Sequence, residues 1–535
     1  MDNQPGVPRD DETLNVELEN KPAPQQKPLV VKGVGEKRRL GDWLIVAGIP
    51  GVVAIVGIVA MVLWLRGEPQ VKAGDRRVPG QQVAVTPQQT PSAGPQGVTP
   101  AQPTPSGSAA TTATAPGTTT TTTGGGASTS APSASSGSQV LGEQVGSSGS
   151  WPCFRGANRN GISGETGLAR SWGSGPKRLW SVSLGEGHAG AAVANGKVYI
   201  LDYDAGARKD VLRCQNLSNG KTLWTQGYAA DIKRNHGMSR TVPAVDGKYV
   251  VTLGPLGTVM CCDTGNGKVL WKKNLVREYG TVIPQWYAGQ CPLIENNNAI
   301  IAPGGKALMI AIHLPTGKIT WTTPNPRGWQ MTHASITPTS FGGKRIYIYP
   351  ASGGVVGVNA RDGKILWDTP EWTVNTSNIP APIAIGDGRV FFCGGYNSGA
   401  MMVKMNDSAT AVSKLFRVAP NTFQSHQQTP ILYKGYLYGV KVPGELVCMD
   451  LNGKIVWSSG STARFGLGPY LLADGMLYVL SDKGELALVE ASPSGYKQLA
   501  RAKVLKGPDA WAPMALVDGK LLCRDMTTMV CLDVK

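Results

Sequence analysis

The sequence predicts an all-β fold, an eight-bladed β-propeller of four-stranded antiparallel blades, preceded by one transmembrane helix and a disordered linker. Three observations lead to this prediction. A unit ending in Gly-Lys-x-x-Trp recurs every 41 to 50 residues, a stretch of 23 residues carries no charge, and a long segment rich in Ser, Thr, Pro and Gly separates the two. Repeats of this period, each with short apolar runs between turn residues, are typical of propeller blades.

Composition divides the first 150 residues into three segments. Residues 1–42 are polar and lack periodicity, so we predict a disordered cytoplasmic tail. Residues 43–65 can span a bilayer core of about 30 Å, with Trp43 and Trp64 at the ends as interfacial anchors. A cleaved signal peptide is the alternative, but this run is too long and starts too late. Residues 66–150 cannot bury a core, so we predict a flexible linker.

Basic residues flank the predicted span on both sides. Their distribution alone therefore hardly distinguishes the two possible orientations in the membrane. A long C-terminal domain is translocated largely regardless of its charge, which leaves the upstream cluster at 37–39 to set the orientation. We therefore expect a single-pass protein of the inner (cytoplasmic) membrane. Its N-terminus would be cytoplasmic and its propeller would lie in the periplasm or outside the cell.

The formal charge of +16 is unevenly distributed along the chain. Residues 1–150 contain 11 basic and 11 acidic residues, so the whole excess lies in 151–535. A basic surface favours anionic neighbours, although a basic surface without a specific partner is the commoner case. The predicted partners are the membrane and either a protein or an anionic envelope polymer. RNA-binding signatures are absent, so no nucleic acid is expected.

From residue 151 onward the composition changes, and we predict a lead-in segment over 151–176 and the propeller over 177–535. The repeat Trp residues are Trp180, Trp224, Trp271, Trp321, Trp367 and Trp457. Phe416 fills the same position in a degenerate unit and Leu499 in a weaker one. Blade two shows the internal division, with four short apolar runs separated by Gly, Asp and Lys turns between 240 and 271.

The last unit supplies only three strands. The missing fourth strand is available in "KRLWSVS", residues 177–183, at the other end of the repeat region. Pairing it beside residues 529–534 would close the ring and remove two open sheet edges. This closure gives the count of eight blades.

These repeats resemble the pyrroloquinoline-quinone-like β-propeller family, whose repeat reads Ala-x-Asp-x-x-Thr-Gly-Lys-x-x-Trp. The resemblance covers about 180–535, and "WPCFRGANRNGISGETGLARSW" at 151–172 is similar to the segment that introduces many bacterial members. It implies that the Trp of one blade docks against the next blade. The family contains both quinoprotein dehydrogenases and non-catalytic scaffolds, so the fold does not carry the function with it.

Adjacent cysteines at 261 and 262 raise the question of a redox disulfide. Cys261 occupies the Ala position of the repeat, as do Cys214, Cys448 and Cys531, while Ala311 and Gly357 fill it in other blades. A position that accepts Ala, Gly and Cys is a tight packing position. Because strand side chains alternate, Cys262 should point to the opposite face. Packing is therefore the preferred interpretation, and a vicinal disulfide is the alternative.

The quinoprotein alternative would make the chain a dehydrogenase dependent on pyrroloquinoline quinone (PQQ). The resemblance then implies a calcium held by Glu, Asn and Asp and a catalytic Asp, and no such set can be assigned to positions in this sequence. We assign no catalytic residue, metal ligand or cofactor. The prediction is a non-catalytic binding scaffold, more similar to BamB-type envelope assembly proteins than to quinoproteins.

Residues that precede the first strand of each blade should surround one mouth of the central funnel. This candidate binding collar consists of His188, Arg240, Gln290, His333, Asn378, His426, Gln427 and Trp511. A polar and aromatic collar of this kind is where propellers bind ligands or peptides. The alternative is that these side chains satisfy backbone groups between blades.

Overall fold

Short apolar runs between Gly-containing turns form strands throughout residues 148–535, the part of the chain that the structure, a computed structural model, describes. These strands form eight blades, each with four antiparallel strands, and a short parallel strand at 162–163 joins one of these sheets as a fifth strand. The eight-bladed propeller is therefore confirmed. Neighbouring blades contact each other through their first strands, which line the central channel.

The strands follow one another in chain order. Strands β1 (Ile162–Ser163) and β2 (Lys177–Ser183) precede the first blade. Blade one comprises β3 (Ala192–Ala194), β4 (Lys197–Asp204), β5 (Lys209–Asn216) and β6 (Thr222–Ala229). Blade two comprises β7 (Ala244–Asp246), β8 (Tyr249–Leu253), β9 (Thr258–Asp263) and β10 (Val269–Asn274). Blade three comprises β11 (Leu293–Glu295), β12 (Asn298–Ile301), β13 (Met309–His313) and β14 (Ile319–Thr323). Blade four comprises β15 (Thr337–Phe341), β16 (Lys344–Ala351), β17 (Gly354–Asn359) and β18 (Ile365–Thr369).

The second half of the ring repeats the same arrangement. Blade five comprises β19 (Ile383–Ala384), β20 (Arg389–Gly394), β21 (Gly399–Met405) and β22 (Val412–Val418). Blade six comprises β23 (Ile431–Tyr433), β24 (Tyr436–Lys441), β25 (Glu445–Asp450) and β26 (Ile455–Ser458). Blade seven comprises β27 (Tyr470–Ala473), β28 (Met476–Leu480), β29 (Glu485–Glu490) and β30 (Gln498–Lys503). Blade eight contains β31 (Ala515–Val517), β32 (Lys520–Arg524) and β33 (Thr528–Asp533).

Strand β2 completes blade eight. It pairs antiparallel with β33, and Trp180 lies opposite Cys531. The predicted closure by residues 177–183 is confirmed. An element from before blade one thus becomes the outermost strand of the last blade, which leaves no three-stranded blade in the described ring.

The predicted membrane elements cannot be compared with the structure. The tail at 1–42, the span at 43–65 and the linker up to residue 147 lie outside the described residues. Within 148–535 the helix α1 (Leu275–Tyr279) is the single α-helix, and no helix in this range is long and apolar enough to cross a membrane.

Each repeat Trp docks on the following blade. The indole Nε1 of Trp180 donates to the Leu217 carbonyl at 2.9 Å, and that of Trp271 donates to the Leu314 carbonyl at 2.6 Å. The Gly of the next Gly-Lys turn lies against the ring, since a Cβ built on Gly267 would come within 2.5 Å of Trp224. The repeat keeps Gly here because the ring leaves no room for a side chain. This inter-blade contact was implied by the family resemblance.

A small residue lies opposite the aromatic residue within each repeat-like blade. Cys261 pairs with Trp271, and the corresponding pairs are Cys214 with Trp224, Ala311 with Trp321, Gly357 with Trp367, Cys448 with Trp457 and Cys531 with Trp180. Cys261 and Cys262 belong to different core clusters on opposite faces of β9, as the alternation predicts. The cysteine position therefore accommodates the indole, which agrees with the packing interpretation.

Blade seven departs from the predicted register. Leu488 lies opposite Ala500, so Ala500 occupies the Trp position and the assignment to Leu499 was wrong by one residue. The same bulge occurs in the other blades, and blade seven differs in having a longer turn: nine residues separate Glu490 from Ala500, whereas seven separate Asp263 from Trp271 in blade two. In this blade the larger side chain, Leu488, lies on the third strand and the smaller one, Ala500, on the fourth.

The predicted lead-in segment lies inside the central channel. We call residues 151–169 the channel segment. Its Trp151 forms a two-hydrogen-bond bridge with Val193 of blade one, and β1 pairs in parallel with β27 of blade seven. The Ala169 amide donates to the Val534 carbonyl beside blade eight. The sequence did not indicate that this segment would fill the channel.

Two arginines in the left-handed backbone region fix the turn of the channel segment. Arg155 (φ 64°) donates to the carbonyls of Thr429 and Pro430 beside blade six, at 2.6 and 2.9 Å. Arg159 (φ 54°) donates to the Pro292 carbonyl beside blade three at 2.9 Å. These bonds satisfy carbonyls at the starts of innermost strands, so the segment connects opposite sides of the ring.

Candidate binding site at the funnel mouth

The funnel mouth is the end of the channel at which the connection before each innermost strand lies. All eight collar residues are in these connections. Every blade except blade seven contributes at least one of them. They divide into residues that satisfy the backbone, a His188 cluster, a His333 cluster and a neighbouring aromatic row.

Two glutamines have structural partners. The Gln290 amide accepts from the Ala302 backbone N–H at 2.8 Å and donates to the Ala302 carbonyl at 3.3 Å. The Gln427 amide donates to the Leu467 carbonyl at 2.9 Å. These two residues therefore follow the alternative interpretation, in which collar side chains satisfy backbone groups. Each one links its connection to neighbouring backbone by hydrogen bonds.

His188 and Trp511 form a stacked pair between blades eight and one. Their ring centroids are 4.8 Å apart at an interplanar angle of 24°. The His188 side chain is buried, and neither of its ring nitrogens has a hydrogen-bond partner among residues 148–535. The Trp511 Nε1 also has none there. The pair thus presents polar atoms that have no hydrogen-bond partner within residues 148–535.

Arg240 is a half-buried cation near this pair. One terminal nitrogen donates to the carbonyl of Asn235 at 2.6 Å and lies 3.4 Å from that of Gly237. Its Nε is buried without a partner among the described residues, none of which places a carboxylate within ion-pair distance of it. Burial lowers the pKa of the guanidinium to about 10. The group nevertheless stays charged at neutral pH.

His333 connects blade four to a buried asparagine. Its Nδ1 lies 2.9 Å from the Ser377 hydroxyl. The adjacent Asn378 is 4% exposed, and both atoms of its amide lack hydrogen-bond partners within 148–535. An amide with a donor and an acceptor both unpaired is uncommon in a folded interior.

Both buried histidines are neutral at pH 7. Burial, followed by the nearby charge of Arg240, lowers the pKa of His188 to about 3 and that of His333 to about 4. Arg524 also lowers the pKa of His188. The charge of Arg240 therefore acts on both rings.

A glycine lies against each collar histidine. A Cβ built on Gly289 would lie 2.9 Å from His333, and one on Gly395 would lie 2.8 Å from His426. Gly237 lies against His188 in the same way, at 3.1 Å. Because backbone rather than side chain contacts each ring, the imidazoles have little freedom to move.

An aromatic row crosses the mouth next to the collar, and sequence reasoning missed most of it. The row consists of His236, Trp286, Tyr396 and His426. Trp286 and Tyr396 are stacked at 6.4 Å and 18°, and Tyr396 contacts His426 edge to face at 4.8 Å. Since Trp286 precedes blade three and Tyr396 belongs to blade five, the row links distant parts of the ring.

Three members of the row have left-handed backbones. The φ angles are 49° at His236, 65° at Trp286 and 55° at Tyr396. Large side chains seldom adopt this region, which costs about 1–3 kcal/mol, and such residues concentrate at functional sites. The sequence did show a long connection between blades two and three. The length of that connection alone, however, does not identify which residues form the aromatic row.

A small cavity lies between the channel segment and blades six to eight. Its volume is about 60 Å³. Phe154 and Arg155 of the channel segment line it together with the collar residues Gln427 and Trp511. This cavity and the His188 cluster share Trp511, so the mouth continues into the interior on that side.

A calcium-bound quinone does not fit the donors at this mouth. Calcium takes about 6–8 oxygen ligands, with carboxylates prominent among them. No collar residue is acidic, and residues 148–535 contain no group of three or more His, Cys, Asp or Glu side chains able to hold a metal ion. Glu186 lies close to the mouth but forms an ion pair with Arg234 at 2.6 Å.

The repeat geometry and the mouth define a PQQ-like β-propeller. Residues 207–459 match the protein family described as outer membrane protein assembly factor BamB. The recognition of the PQQ-like repeat family is therefore confirmed.

Curated relatives agree with this family. BamB of Moranella endobia (strain PCIT) is 22% identical over 298 residues, covering 52% of this chain and 71% of the relative. BamB of Yersinia pestis is 22% identical over 283 residues, covering 50% and 68%. A europium-containing methanol dehydrogenase has a similar structure, with a TM-score of 0.50 and 12% identity over 70% of this chain and 89% of that one. This last likeness shows the fold alone.

Proposed function

We propose that this chain is a membrane-anchored, extracytoplasmic β-propeller that acts as a non-catalytic binding module of the cell envelope, with the funnel mouth as its binding face. Within 148–535, 16 buried side-chain nitrogen or oxygen atoms lack hydrogen-bond partners, and seven of them belong to collar residues. Those residues are His188, Arg240, His333, Asn378 and Trp511. Because buried polar groups normally find partners, this concentration supports a surface that is completed by a ligand.

The relatives support the setting of this function. Both are named outer membrane protein assembly factors. By analogy, the partner of this chain is a protein of the envelope, held near the inner membrane by the span at 43–65 and the linker at 66–150. The N-terminus lies in the cytoplasm and the propeller lies in the periplasm or outside the cell.

Site-directed photocrosslinking of the full chain in intact cells tests the binding face. A photoreactive residue replaces Asn397, which is exposed in the β20–β21 hairpin at the mouth and has φ 64°. The matched control replaces Asn195, which is exposed in the β3–β4 hairpin at the opposite end and has φ 52°. We expect specific adducts from 397 and none from 195. Equal adducts from both positions, or adducts only from 195, would reject the mouth as the binding face.

A PQQ-dependent dehydrogenase is the second candidate function. It predicts stoichiometric binding of the quinone when the purified full chain is titrated with PQQ and calcium, together with alcohol- or sugar-dependent dye reduction. We expect neither result. Observing both would replace the scaffold function by the enzymatic one.

A further inference from the structure

We propose that the funnel mouth binds a carboxylate of an acidic peptide segment, with the guanidinium of Arg240 as its anchor. This inference rests on the proposed function and specifies the chemistry of its partner. Three features of the mouth carry it: an uncompensated cation, neutral rings around that cation, and a nearby amide with both polar atoms unpaired.

The first feature is the guanidinium of Arg240, which has no carboxylate partner among residues 148–535. Arg240 is half-buried and its Nε is fully buried, and removing a charge from water is costly unless the charge is paired. Arg240 contacts backbone carbonyls only, and no carboxylate of residues 148–535 forms an ion pair with it. The bonds to Asn235 and Gly237 hold the guanidinium in place. An incoming carboxylate would provide the missing counter-ion.

The neighbouring charges favour a single negative charge on the ligand. His188 and His333 are neutral, so they neither repel the Arg240 guanidinium nor add positive charge to the mouth. Arg524 is bound to the carbonyls of Ala189, Leu201 and Gly185, and its charge is offset by Asp202 and Asp525. Arg240, unlike Arg524, has no offsetting carboxylate among residues 148–535, and a single guanidinium matches a carboxylate better than a doubly charged phosphate.

The remaining polar atoms favour a peptide over a polysaccharide. The Asn378 amide offers one unpaired donor group and one unpaired acceptor, which is the complement of a backbone peptide unit. Asn378 is adjacent to Ser377, whose hydroxyl contacts His333, and the charge of Arg240 lowers the pKa of that same imidazole. The stacked rings of Trp286 and Tyr396 add an apolar surface for a neighbouring side chain.

Histidine NMR of the full-length chain tests this proposal directly. The chain has five histidines, and His188, His236, His333 and His426 lie at the mouth. His313 serves as an internal reference, because its ring contacts Asn297 and Thr316 in turns of blade three. The ring-¹³C-labelled chain is titrated at pH 7 with a blocked hexapeptide containing one central Glu, and in parallel with the same peptide containing Gln.

With the Glu peptide we expect the signals of His188 and His333 to shift while that of His313 stays constant. The Gln peptide should bind at least about tenfold more weakly, because it lacks the charge-assisted hydrogen bonds. Arg240→Gln should abolish the difference between the two peptides, and Arg240→Lys should retain part of it. The control variant is Arg208→Gln, which removes an arginine that is 72% exposed and paired with Asp231.

Every other outcome contradicts the proposal in a recognisable way. Equal binding of the two peptides, or unchanged discrimination in Arg240→Gln, would show that Arg240 is not a carboxylate anchor. If Arg240→Gln fails to fold, Arg240→Lys takes its place. A preference for the Glu peptide over the Gln peptide that is equal in wild type and Arg240→Lys would then reject Arg240 as the anchor. Binding of polygalacturonate without the peptide would assign the site to an anionic polysaccharide. Crosslinks from position 397 without any histidine shift would retain the proposed binding face and reject only this inference.

Discussion

Trp180 of strand β2 lies directly opposite Cys531 of strand β33, so a strand from before blade one closes blade eight. The indole is buried, its Nε1 donates to the Leu217 carbonyl, and its ring lies against Gly220 of blade one. The last and first blades of the ring therefore meet at a single side chain.

The first prediction concerns this closure. Trp180→Ala should lower the free energy of unfolding by about 3–5 kcal/mol, because it removes a large buried ring and its hydrogen bond. The measurement is denaturant unfolding of the full-length chain. Leu223→Ala, at a side chain that is 48% exposed, is the control and should change stability by about 0.5 kcal/mol or less. Similar losses in both variants would mean that the ring does not depend on β2.

The second prediction tests the docking of Trp on glycine. Gly267 and Gly247 both have positive φ, 76° and 52°, but only Gly267 has a ring in the way of a Cβ. Both Ala variants incur backbone strain of about 1–2 kcal/mol. Gly267→Ala should lose a further ~1–3 kcal/mol, because the methyl group would displace Trp224.

Thermal unfolding of the two glycine variants measures this difference. The paired design removes the contribution of backbone strain, since it is common to both positions. Equal melting temperatures would indicate that Trp224 moves aside without cost and that the Gly-Lys turn is kept for its backbone conformation alone.

The third prediction concerns pH. Burial raises the pKa of Asp210 to about 6, although hydrogen bonds from Ser239 and Tyr228 act in the opposite direction. Between pH 4 and 6 the folded state thus holds a proton that the unfolded state has lost, and stability falls as pH rises. His333 has the opposite effect, because its pKa of about 4 leaves it neutral when the unfolded chain is protonated. Stability from this histidine rises with pH over the same range.

Two variants separate these contributions. Asp210→Asn should make the rise of unfolding free energy between about pH 4 and 6 steeper than in wild type, and His333→Gln should make it shallower. Each group changes the slope by at most about 1.4 kcal/mol per pH unit. Unfolding free energies at four pH values provide the slopes. A change of the same sign in both variants would contradict the assigned protonation states.

The fourth prediction concerns topology. Ser135→Cys in the linker should react with a membrane-impermeant maleimide once the outer membrane is permeabilised, whereas Asn20→Cys should react only after the inner membrane is opened. The unmodified chain is the control, since eight of its nine cysteines are buried and Cys153 is half-buried. Labelling of position 20 before position 135 would reverse the proposed orientation.

The strand pattern and blade count could be predicted because they depend on local signals. Gly-Lys turns and apolar alternation are set within each unit, so Trp271 and its partner Cys261 could be assigned from spacing alone. Blade seven shows where this fails. Its turn is two residues longer than that of blade two and lacks the Gly-Lys-x-x-Trp motif, so Ala500 rather than Leu499 reaches the aromatic position.

The collar positions were predictable for the same reason, but their contacts were not. Repeat position places His188, Arg240 and His333 at one mouth. Which of them find partners depends on the packing around each connection: Gln290 has the Ala302 backbone within reach, whereas the amide of Asn378 has no partner among residues 148–535. Distances of this kind arise from packing between segments that are far apart in the chain.

The sequence by itself determined the repeat, the number of blades and the strand that closes the ring, because turn chemistry and side-chain alternation act over a few residues. Only the tertiary structure decided that residues 151–169 fill the channel and that Trp286 stacks on Tyr396 across the mouth. Trp286 and Tyr396 are separated by two complete blades, and the channel segment pairs with blade seven, which follows it only after six other blades. Such contacts depend on the closed ring, which brings together groups that no local pattern relates.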